Sequence, residues 1–324
     1  MTERGFEDRV VGSILGLALG DALGAPFEFR RAKDIPDPLP ILDVAWRGGP
    51  AGSTTDDTAM ARNLVRSLVD RRGFDPNDVV ARHLEWLASG PPDVGNMTSR
   101  VLGRLARASV SPPVARAPVG LGALAEDAAR AVWEERGPEV SAGNGSVMYC
   151  APLGLAFASR PDLLFELAPR LSRLTHFDPR CGTAVLAVTH AVAAVARGDG
   201  GEEAVGASLQ AVSDREGGEE LEFLVEAVGF ARTIDGPDQG FCLFAAAAGL
   251  QALARGDTFA HALRRVVGLG GDTDTNAAVA GALVGAASGA TGLPESWLER
   301  LQSRGAIEVE AQSLTRVAME IGHA

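Results

Sequence analysis

Apolar residues recur at helical spacing along most of this chain, and short segments rich in Gly, Pro and Asp separate the periodic stretches. The first stretch, 6–24, is apolar nearly all round and predicts a buried helix. Further helices are predicted over 59–68, 78–89, 98–108, 121–135, 147–158, 162–174, 179–197, 201–215, 218–231, 240–255, 258–267 and 274–288, and from Pro294 onward. No stretch has the alternation of a strand, and no change of composition marks a linker. The pattern predicts an all-α fold with a single compact domain over 1–324.

Small residues recur every four positions on two of these helices. They are Gly12, Gly16, Gly20 and Gly24 on the first helix, and Ala277, Gly281, Gly285 and Gly289 on or just after helix 274–288. Each glycine costs a helix about 1 kcal/mol, which the close approach of another backbone can offset. We expect the two helices to be neighbours. Their contact would bring Asp272 and Asp274 towards the segment 21–28.

The composition of the 324 residues is that of a globular protein, with 46% hydrophobic and 22% charged residues. The net charge of −12 argues against a general nucleic-acid surface or an anionic-membrane surface, since both need a basic face. An acidic surplus is compatible with a cation site. Lys33 is the only lysine, which excludes a P-loop and disfavours Schiff-base chemistry.

The cysteines point to a reducing compartment. Cys150, Cys181 and Cys242 form no CxxC pair, and such a sparse, odd set is typical of reduced intracellular thiols. The N-terminal residues lack the charge pattern of a signal peptide. The apolar run 10–20 is too short to span a bilayer. We expect a cytoplasmic protein that does not span a membrane.

Two acidic clusters stand where a loop enters a helix: Thr55-Asp56-Asp57 and Asp272-Thr273-Asp274-Thr275. At about 4 Å and an effective dielectric of about 20, two carboxylates repel by roughly 4 kcal/mol, and a helix N-terminus offsets about 0.3–1 kcal/mol of that. Either cluster alone also fits a helix cap with solvated acids. Together, oxygen ligands without His or Cys favour a hard cation, Mg²⁺ or Mn²⁺.

Two other interpretations of the second cluster fail. The DxDxT pattern is also the nucleophile motif of haloacid-dehalogenase phosphatases, but here it lies near the C-terminus with no lysine after it. An EF-hand loop would need a terminal Glu, which the spacing beyond Asp274 lacks.

Six segments, in order along nearly the whole chain, resemble the ADP-ribosylglycohydrolases of the dinitrogenase-reductase-activating type. They are GSILGLALGDALGAPFEF at 12–29, STTDDTAMA at 53–61, DVGNMTSRVLGRL at 93–105, GNGSVMYCAPLGLA at 143–156, THFDPRC at 175–181 and GGDTDTNAAVAGALVGAASG at 270–289. The resemblance implies an orthogonal multi-helix domain with two divalent metal ions, Mg²⁺ or Mn²⁺, in a cleft.

Carried over by position, the resemblance implies a set of metal ligands and, within it, catalytic carboxylates. The metal ligands are Glu28, Thr55, Asp56, Asp57, Asp272, Asp274 and Thr275, of which Glu28, Asp56 and Asp57 are also the expected catalytic residues. The metals would bind the hydroxyls of the distal ribose and orient a water, and a nearby carboxylate would move the proton.

The expected substrate-binding residues form a second group. They are Gly143, Asn144, Gly145, Ser146, Met148 and His176. The glycine turn 143–146 resembles the turn that holds the pyrophosphate in this family, although alone it would also fit a plain helix cap. His176 resembles the residue beside the adenosine half, whereas a lone histidine is otherwise more often structural.

The resemblance implies an enzyme that hydrolyses the glycosidic bond between ADP-ribose and an acceptor on a protein or small molecule, with arginine as the leading acceptor and ADP-ribose as product. ADP-ribosylated serine, a nucleobase, a small guanidine compound, or non-catalytic ADP-ribose binding are the alternatives. Three departures leave the acceptor open: Tyr149 where many members have Arg, Asn96 where some arginine-directed members have Asp, and an unfamiliar loop at 109–122. Nucleic-acid binding is not expected, and a monomer is.

Overall fold

The computed structural model describes residues 2–46, 48–108, 120–215, 217–234 and 240–323. Its helices are α1 (Glu3–Gly24), α2 (Asp56–Arg71), α3 (Pro76–Ala88), α4 (Asn96–Ala108), α5 (Leu121–Arg136), α6 (Ala151–Ala156), α7 (Pro161–Arg173), α8 (Pro179–Arg197), α9 (Gly201–Asp214), α10 (Gly218–Val228), α11 (Cys242–Ala254), α12 (Phe259–Gly268), α13 (Thr273–Ser288), α14 (Glu295–Leu298) and α15 (Arg304–His323). Within the described ranges, the only strands are β1 (Arg30–Arg31) and β2 (Gly270–Gly271), which pair antiparallel. The all-α prediction is confirmed.

Side-chain caps fix where several helices begin. Thr55 caps α2 and accepts from the Asp57 N–H. Asp75 caps α3, and Pro76 follows at the first helical position, where a missing N–H costs nothing. Asp178 caps α8 by accepting from the Arg180 N–H at 3.0 Å. Thr55 therefore fixes the start of α2, and the first turn of this helix carries Asp56 and Asp57.

Helices α1 and α13 pack backbone to backbone at the centre of the core. A Cβ added at Gly12 would lie 2.5 Å from the Gly285 carbonyl oxygen. Further along α1, the same clash would occur between Gly16 and Gly281, between Gly20 and Ala277, and between Gly24 and Thr273. The pairs run in opposite directions along the two helices, so the helices are antiparallel. The predicted contact is confirmed, and it brings the end of α1 to the start of α13.

One continuous cluster of buried apolar residues extends from Phe6 on α1 to Ala318 on α15. Two helical segments, Glu3–Phe27 and Pro179–Arg197, are long and apolar enough to cross a membrane by length and composition alone. However, 94% and 78% of these windows are buried inside the fold. Burial of this extent fits the core helices of a globular domain.

Several predicted boundaries differ from the structure. The residues after the glycine turn form consecutive turns, and α6 begins only at Ala151 and not at Val147, because Pro152 then occupies its first turn. The helix predicted from Pro294 is two helices, α14 and α15. Most of the loop predicted over 109–122 lies outside the described residues, and its last two residues belong to α5.

Candidate active site

A cleft of about 290 Å³ opens where α2, α4 and α13 begin, beside the segment that leaves α1. The cleft is lined by eleven of the residues predicted from the sequence: Glu28, Asp56, Asp57, Gly143, Asn144, Gly145, Met148, His176, Asp272, Asp274 and Thr275. Two other predicted residues do not line it. Thr55 lines a neighbouring cavity, and Ser146 is fully buried.

The start of α2 supplies two buried carboxylates. Asp56 accepts a hydrogen bond from the Gly95 N–H at 2.9 Å, which joins α2 to the turn before α4. Asp57 is 1% exposed, and its Oδ1 has no hydrogen-bond partner among the described residues. A buried carboxylate oxygen without a donor is costly, so this oxygen is placed to accept a ligand.

Asp21 of α1 holds this helix start in position. Its carboxylate accepts from the Thr55 N–H, at 3.0 Å to each oxygen, and from the N–H of Thr58 at 3.0 Å. The Thr58 hydroxyl donates to Oδ2 at 2.5 Å. Asp21 thus satisfies N–H groups that a helix start leaves unpaired. The sequence did not lead us to Asp21, although a lone carboxylate inside the apolar run LALGDALG was a signal.

The start of α13 and the segment that follows α1 supply the other carboxylates. Oxygens of Glu28, Asp272 and Asp274 all lie within 4.8 Å of one another. The pairing of β1 with β2 holds Glu28 there, since the neighbouring Phe29 N–H donates to the Gly271 carbonyl at 2.6 Å. The two short strands therefore have a role in the site that periodicity could not reveal.

Four carboxyl groups in and beside the cleft, those of Asp21, Asp56, Asp57 and Asp274, have raised pKa values. Burial raises the pKa of Asp21 to about 6. Burial, and then the charges of Asp93 and Asp21, raise the pKa of Asp56 to about 6. The pKa values of Asp57 and Asp274 lie well above the usual range for the same reasons, with Asp272 adding to both.

This donor set fits a hard divalent cation. It consists only of carboxylate and hydroxyl oxygens, which Mg²⁺ and Mn²⁺ prefer, and it includes the buried, unpaired Oδ1 of Asp57. Without a cation, the carboxylates of this cluster repel one another.

The glycine turn is tied to the acidic cluster through Asn144. The Asn144 N–H donates to the Gly240 carbonyl at 3.0 Å, and its side-chain amide donates to Oδ2 of Asp272 at 2.9 Å. The N–H groups of Val147 and Met148 turn back onto the Asn144 carbonyl. Among the described residues, no protein group accepts from the N–H groups of Gly145 and Ser146. The turn therefore offers unpaired donors, although it does not begin an α-helix.

His176 lies directly against this turn. A Cβ on Gly145 would lie 2.8 Å from Cε1 of its ring, so only glycine fits there. Its Nδ1 is 3.0 Å from the Thr175 hydroxyl. Burial lowers the pKa of His176 to about 4, and the ring is neutral at pH 7. His176 both supports the turn and lines the cleft.

Other side chains near the turn serve the core. The Ser146 hydroxyl is buried and lies 2.9 Å from that of Ser172. Tyr149 is fully buried, with its ring edge-on to His83 at a centroid distance of 5.3 Å. Met148 is the residue of this segment, beyond the turn itself, that reaches the cleft.

Several cleft residues were not predicted as site residues. Arg136 at the end of α5 is the only arginine lining the cleft, and its Nε is buried without a partner in the described part of the chain. Thr98 contributes a buried hydroxyl that also lacks a described partner. Thr98 lies on α4 and Arg136 on α5, outside the acidic motifs. Their positions in the cleft depend on how these two helices pack.

The fold and the cleft define a class of all-helical protein in which a cluster of buried carboxylates adjoins a glycine turn with unpaired N–H groups. A family model described as ADP-ribosylglycohydrolase matches residues 2–323. The chain belongs to the ADP-ribosylglycohydrolase family, and it is a hydrolase of the glycosidic bond to ADP-ribose.

Individual relatives are similar in sequence to this chain over nearly its whole length. The ADP-ribosyl-[dinitrogen reductase] glycohydrolase of Rhodospirillum rubrum is 30% identical over 316 residues, which cover 96% of each chain. The ADP-ribosylhydrolase ARH3 of Bos taurus is 28% identical over 95% of this chain and 93% of its own. A solved ADP-ribosylglycohydrolase-related protein complex is 35% identical, with a TM-score of 0.76 over 98% of this chain and 100% of that one.

Proposed function

We propose that this chain is a Mg²⁺- or Mn²⁺-dependent hydrolase with two metal ions that releases ADP-ribose from ADP-ribosyl-arginine. The observation that carries the proposal is the convergence of Glu28, Asp272 and Asp274 within 4.8 Å, next to the unpaired oxygen of Asp57. Without a cation, this arrangement leaves like charges buried together.

Seven side chains would hold the metal ions: Glu28, Thr55, Asp56, Asp57, Asp272, Asp274 and Thr275. When bound, the ions supply Lewis acidity that polarises a water and the hydroxyls of the distal ribose. Asn144 orients the Asp272 carboxylate by donating to its Oδ2, and Asp21 fixes the start of α2.

Carboxylates of the chain would accept the proton that the attacking water releases. A water that attacks C1″ of the distal ribose loses a proton, and Glu28, Asp56 and Asp57 are the candidate acceptors at the cleft. Oδ2 of Asp56 accepts from the Gly95 N–H at 2.9 Å, which holds this carboxylate at the cleft. When the bond between C1″ and the acceptor breaks, the acceptor takes the bonding electron pair, and the proton received from the water can return to it from Asp56, which borders the neighbouring cavity on that side.

The other end of the cleft would bind the rest of ADP-ribose. The unpaired N–H groups of Gly145 and Ser146 suit phosphate oxygens, and Arg136 adds a positive charge in the same cleft. Met148 and the neutral ring of His176 offer apolar contact for the adenosine half. Ser146 contributes through its backbone, since its hydroxyl is engaged by Ser172.

Arginine is the proposed acceptor. A Pseudomonas putida relative named ADP-ribosylarginine hydrolase Tri1 is 26% identical over 95% of this chain and 78% of its own, which supports arginine. Serine, a nucleobase and small guanidine compounds remain as alternatives because Asn96 and Tyr149 depart from the family pattern.

Product analysis tests the proposal. The chelated protein would be supplied with ADP-ribosylated arginine, serine, cysteine and guanidine compounds, with and without Mg²⁺ or Mn²⁺. We expect release of ADP-ribose from the arginine conjugate only when metal is added. Full activity in chelator would refute the metal proposal, and preferential cleavage of another conjugate would refute the acceptor.

We further propose a cytoplasmic monomer. The three cysteines are free and buried, which supports a reducing compartment. Light scattering on the eluted protein tests the oligomeric state, and a mass near twice 33.6 kDa would refute the monomer.

A further inference from the structure

Phe29 is an exposed apolar residue at the mouth of the active-site cleft. It follows Glu28 directly in the chain, it lines the cleft, and 68% of it is exposed. This fraction is the largest among the exposed large hydrophobic residues of the described ranges. A single exposed apolar side chain is ordinary on a protein surface, but this one borders the carboxylates of the cleft.

The backbone holds Phe29 in the left-handed region, with a φ of 61°. A residue with a Cβ is strained there, whereas glycine is not. The Phe29 N–H donates to the Gly271 carbonyl at 2.6 Å, and the pairing of β1 with β2 begins at the next residue. The backbone contact that brings Glu28 to the cluster therefore also fixes Phe29 at the mouth of the cleft.

Phe230 provides a comparison within the same chain. It also has a left-handed backbone, with a φ of 60°, and it is 50% exposed. The guanidinium of Arg255 covers its ring and lies 4.0 Å from the ring centroid. No aromatic ring or guanidinium of the described residues stacks on Phe29 in this way. The Phe29 ring is thus open to a ligand.

The acceptor has to cross the mouth of the cleft. With the distal ribose at the carboxylates, the acceptor on C1″ continues into the protein that carries it, so its side chain runs from the cluster to solvent. Phe29 borders this path, since it is both next to Glu28 and exposed. Val140 is the other exposed large apolar residue among the described residues that line the cleft. It lies just before the glycine turn, at the end proposed for the diphosphate.

The part of an arginine acceptor that follows the guanidinium is apolar. Its methylene groups join the guanidinium to the backbone of the carrier protein, and they leave water when they pack against a phenyl ring. The guanidinium itself also stacks favourably on an aromatic face. Unsubstituted guanidine has no methylene stem. A phenyl ring at this point therefore favours an acceptor that has an apolar stem.

We propose that Phe29 is a specificity-determining residue whose ring packs against the methylene stem of the acceptor arginine. This inference rests on the proposed hydrolysis of ADP-ribosyl-arginine, and it adds a residue that contacts the acceptor beyond the bond that is cleaved. The ring takes no part in the cleavage itself, so its effect is on the binding of the acceptor.

Two substrates that differ only in the stem test this role. ADP-ribosyl-n-propylguanidine has the stem of arginine, whereas ADP-ribosyl-guanidine has none, and the bond at C1″ is the same in both. The variants are Phe29→Ala, Phe29→Leu and, as a matched control, Phe230→Ala, which removes a phenyl ring from the same backbone conformation outside the cleft. Steady-state kinetics with Mg²⁺ give kcat and KM, and thermal unfolding checks that each variant is folded.

For the wild type and Phe230→Ala, we expect kcat/KM for the propyl conjugate to exceed that for the guanidine conjugate about fivefold, because the methylenes are partly buried against the ring. Phe29→Ala should reduce this preference below about twofold through a higher KM, since the contact is present before and during the reaction. Phe29→Leu should keep most of the preference, because an apolar side chain remains. Phe29→Ala should cleave the guanidine conjugate as the wild type does, which would show that Glu28 stays in place.

The assignment is wrong if the wild type shows no preference for the propyl conjugate, or if Phe29→Ala keeps the full preference. Equal losses on both conjugates in Phe29→Ala would also overturn it, because the ring would then act through Glu28 and not on the stem.

Failure of the proposed function gives a different result. If the wild type cleaves neither conjugate, the proposed function fails; both conjugates are then stable ligands, and their calorimetric affinities make the same comparison. If the wild type cleaves ADP-ribosyl-arginine while Phe29→Ala keeps the preference, the function stands and the assignment of Phe29 is wrong.

Discussion

The metal-free protein should become more stable when Asp56 is replaced by Asn. Asp56 is 7% exposed, and Asp93 and Asp21 add charge of the same sign. Asn keeps the shape and an oxygen that can accept from the Gly95 N–H, as Oδ2 of Asp56 does at 2.9 Å. The substitution therefore removes burial and repulsion of a charge and leaves the hydrogen bond in place.

The raised pKa gives the size and the pH window of the effect. Burial and then neighbouring charge raise the pKa of Asp56 from 3.8 to about 6, which at about 1.36 kcal/mol per unit corresponds to about 3 kcal/mol. Since the folded-state pKa is the higher one, the stability is fully present below pH 3.8 and is lost as the pH rises through 6. The advantage of the variant should be absent below pH 3.8, about half at pH 5, and as much as about 3 kcal/mol at pH 7.5.

Urea unfolding in EDTA, followed by tryptophan fluorescence and far-UV circular dichroism, measures this difference at pH 7.5 and pH 5. Asp127→Asn serves as the matched control and should change stability little at either pH, because Asp127 is exposed. Added Mg²⁺ should stabilise the wild type more than Asp56→Asn. If Asp56→Asn is no more stable than the wild type in EDTA at pH 7.5, the argument from buried repulsion is wrong.

Three further outcomes follow from the site and the core. Chelation should lower the Tm and abolish hydrolysis, and Mg²⁺ or Mn²⁺ should restore both; an unchanged Tm would count against a bound metal. Gly20→Leu should destabilise by about 3 kcal/mol or more in urea, because the new side chain meets the Ala277 backbone and not a flexible side chain; a loss below about 1 kcal/mol would contradict the packing. Asp272→Asn should lose several orders of magnitude in kcat while ADP-ribose affinity, measured by calorimetry, falls less; normal turnover and metal binding would reduce Asp272 to a helix cap.

The packing of α1 against α13 could be predicted because it depends on small residues at regular spacing. Glycines every four residues on 12–24 match small residues on 277–285, and in the structure each of these four α1 glycines opposes a backbone carbonyl of α13, whereas Gly289 lies against the Asp8 side chain. The acidic clusters could be predicted as helix starts because capping is local, with Thr55 as the cap of α2. The caps are visible within one turn of sequence, and each small-residue repeat is visible along its own helix.

Features that depend on distant contacts could not be predicted in this way. The pairing of β1 with β2 spans two residues on each side and leaves no alternation in the sequence. The hydrogen bond from Asn144 to Asp272 joins residues 128 positions apart. The cavity beside the cleft likewise combines Trp46, Trp86 and Asp93 from separate loops and helices, so no single motif shows it.

Helix α1 determines the geometry of the cluster although it contributes none of the proposed metal ligands. Through Asp21 it fixes the N-terminus of α2, and through Gly24 it lies against the Thr273 backbone at the start of α13. Shortly after α1 ends, the chain places Glu28 beside Asp272 and Asp274. The three carboxylate-bearing segments are thus positioned by one rigid element that is buried on nearly all sides. Close glycine packing in the core and the placement of oxygens in the cleft are therefore consequences of the same contact, which is why the glycine repeat and the acidic motifs belong to one site.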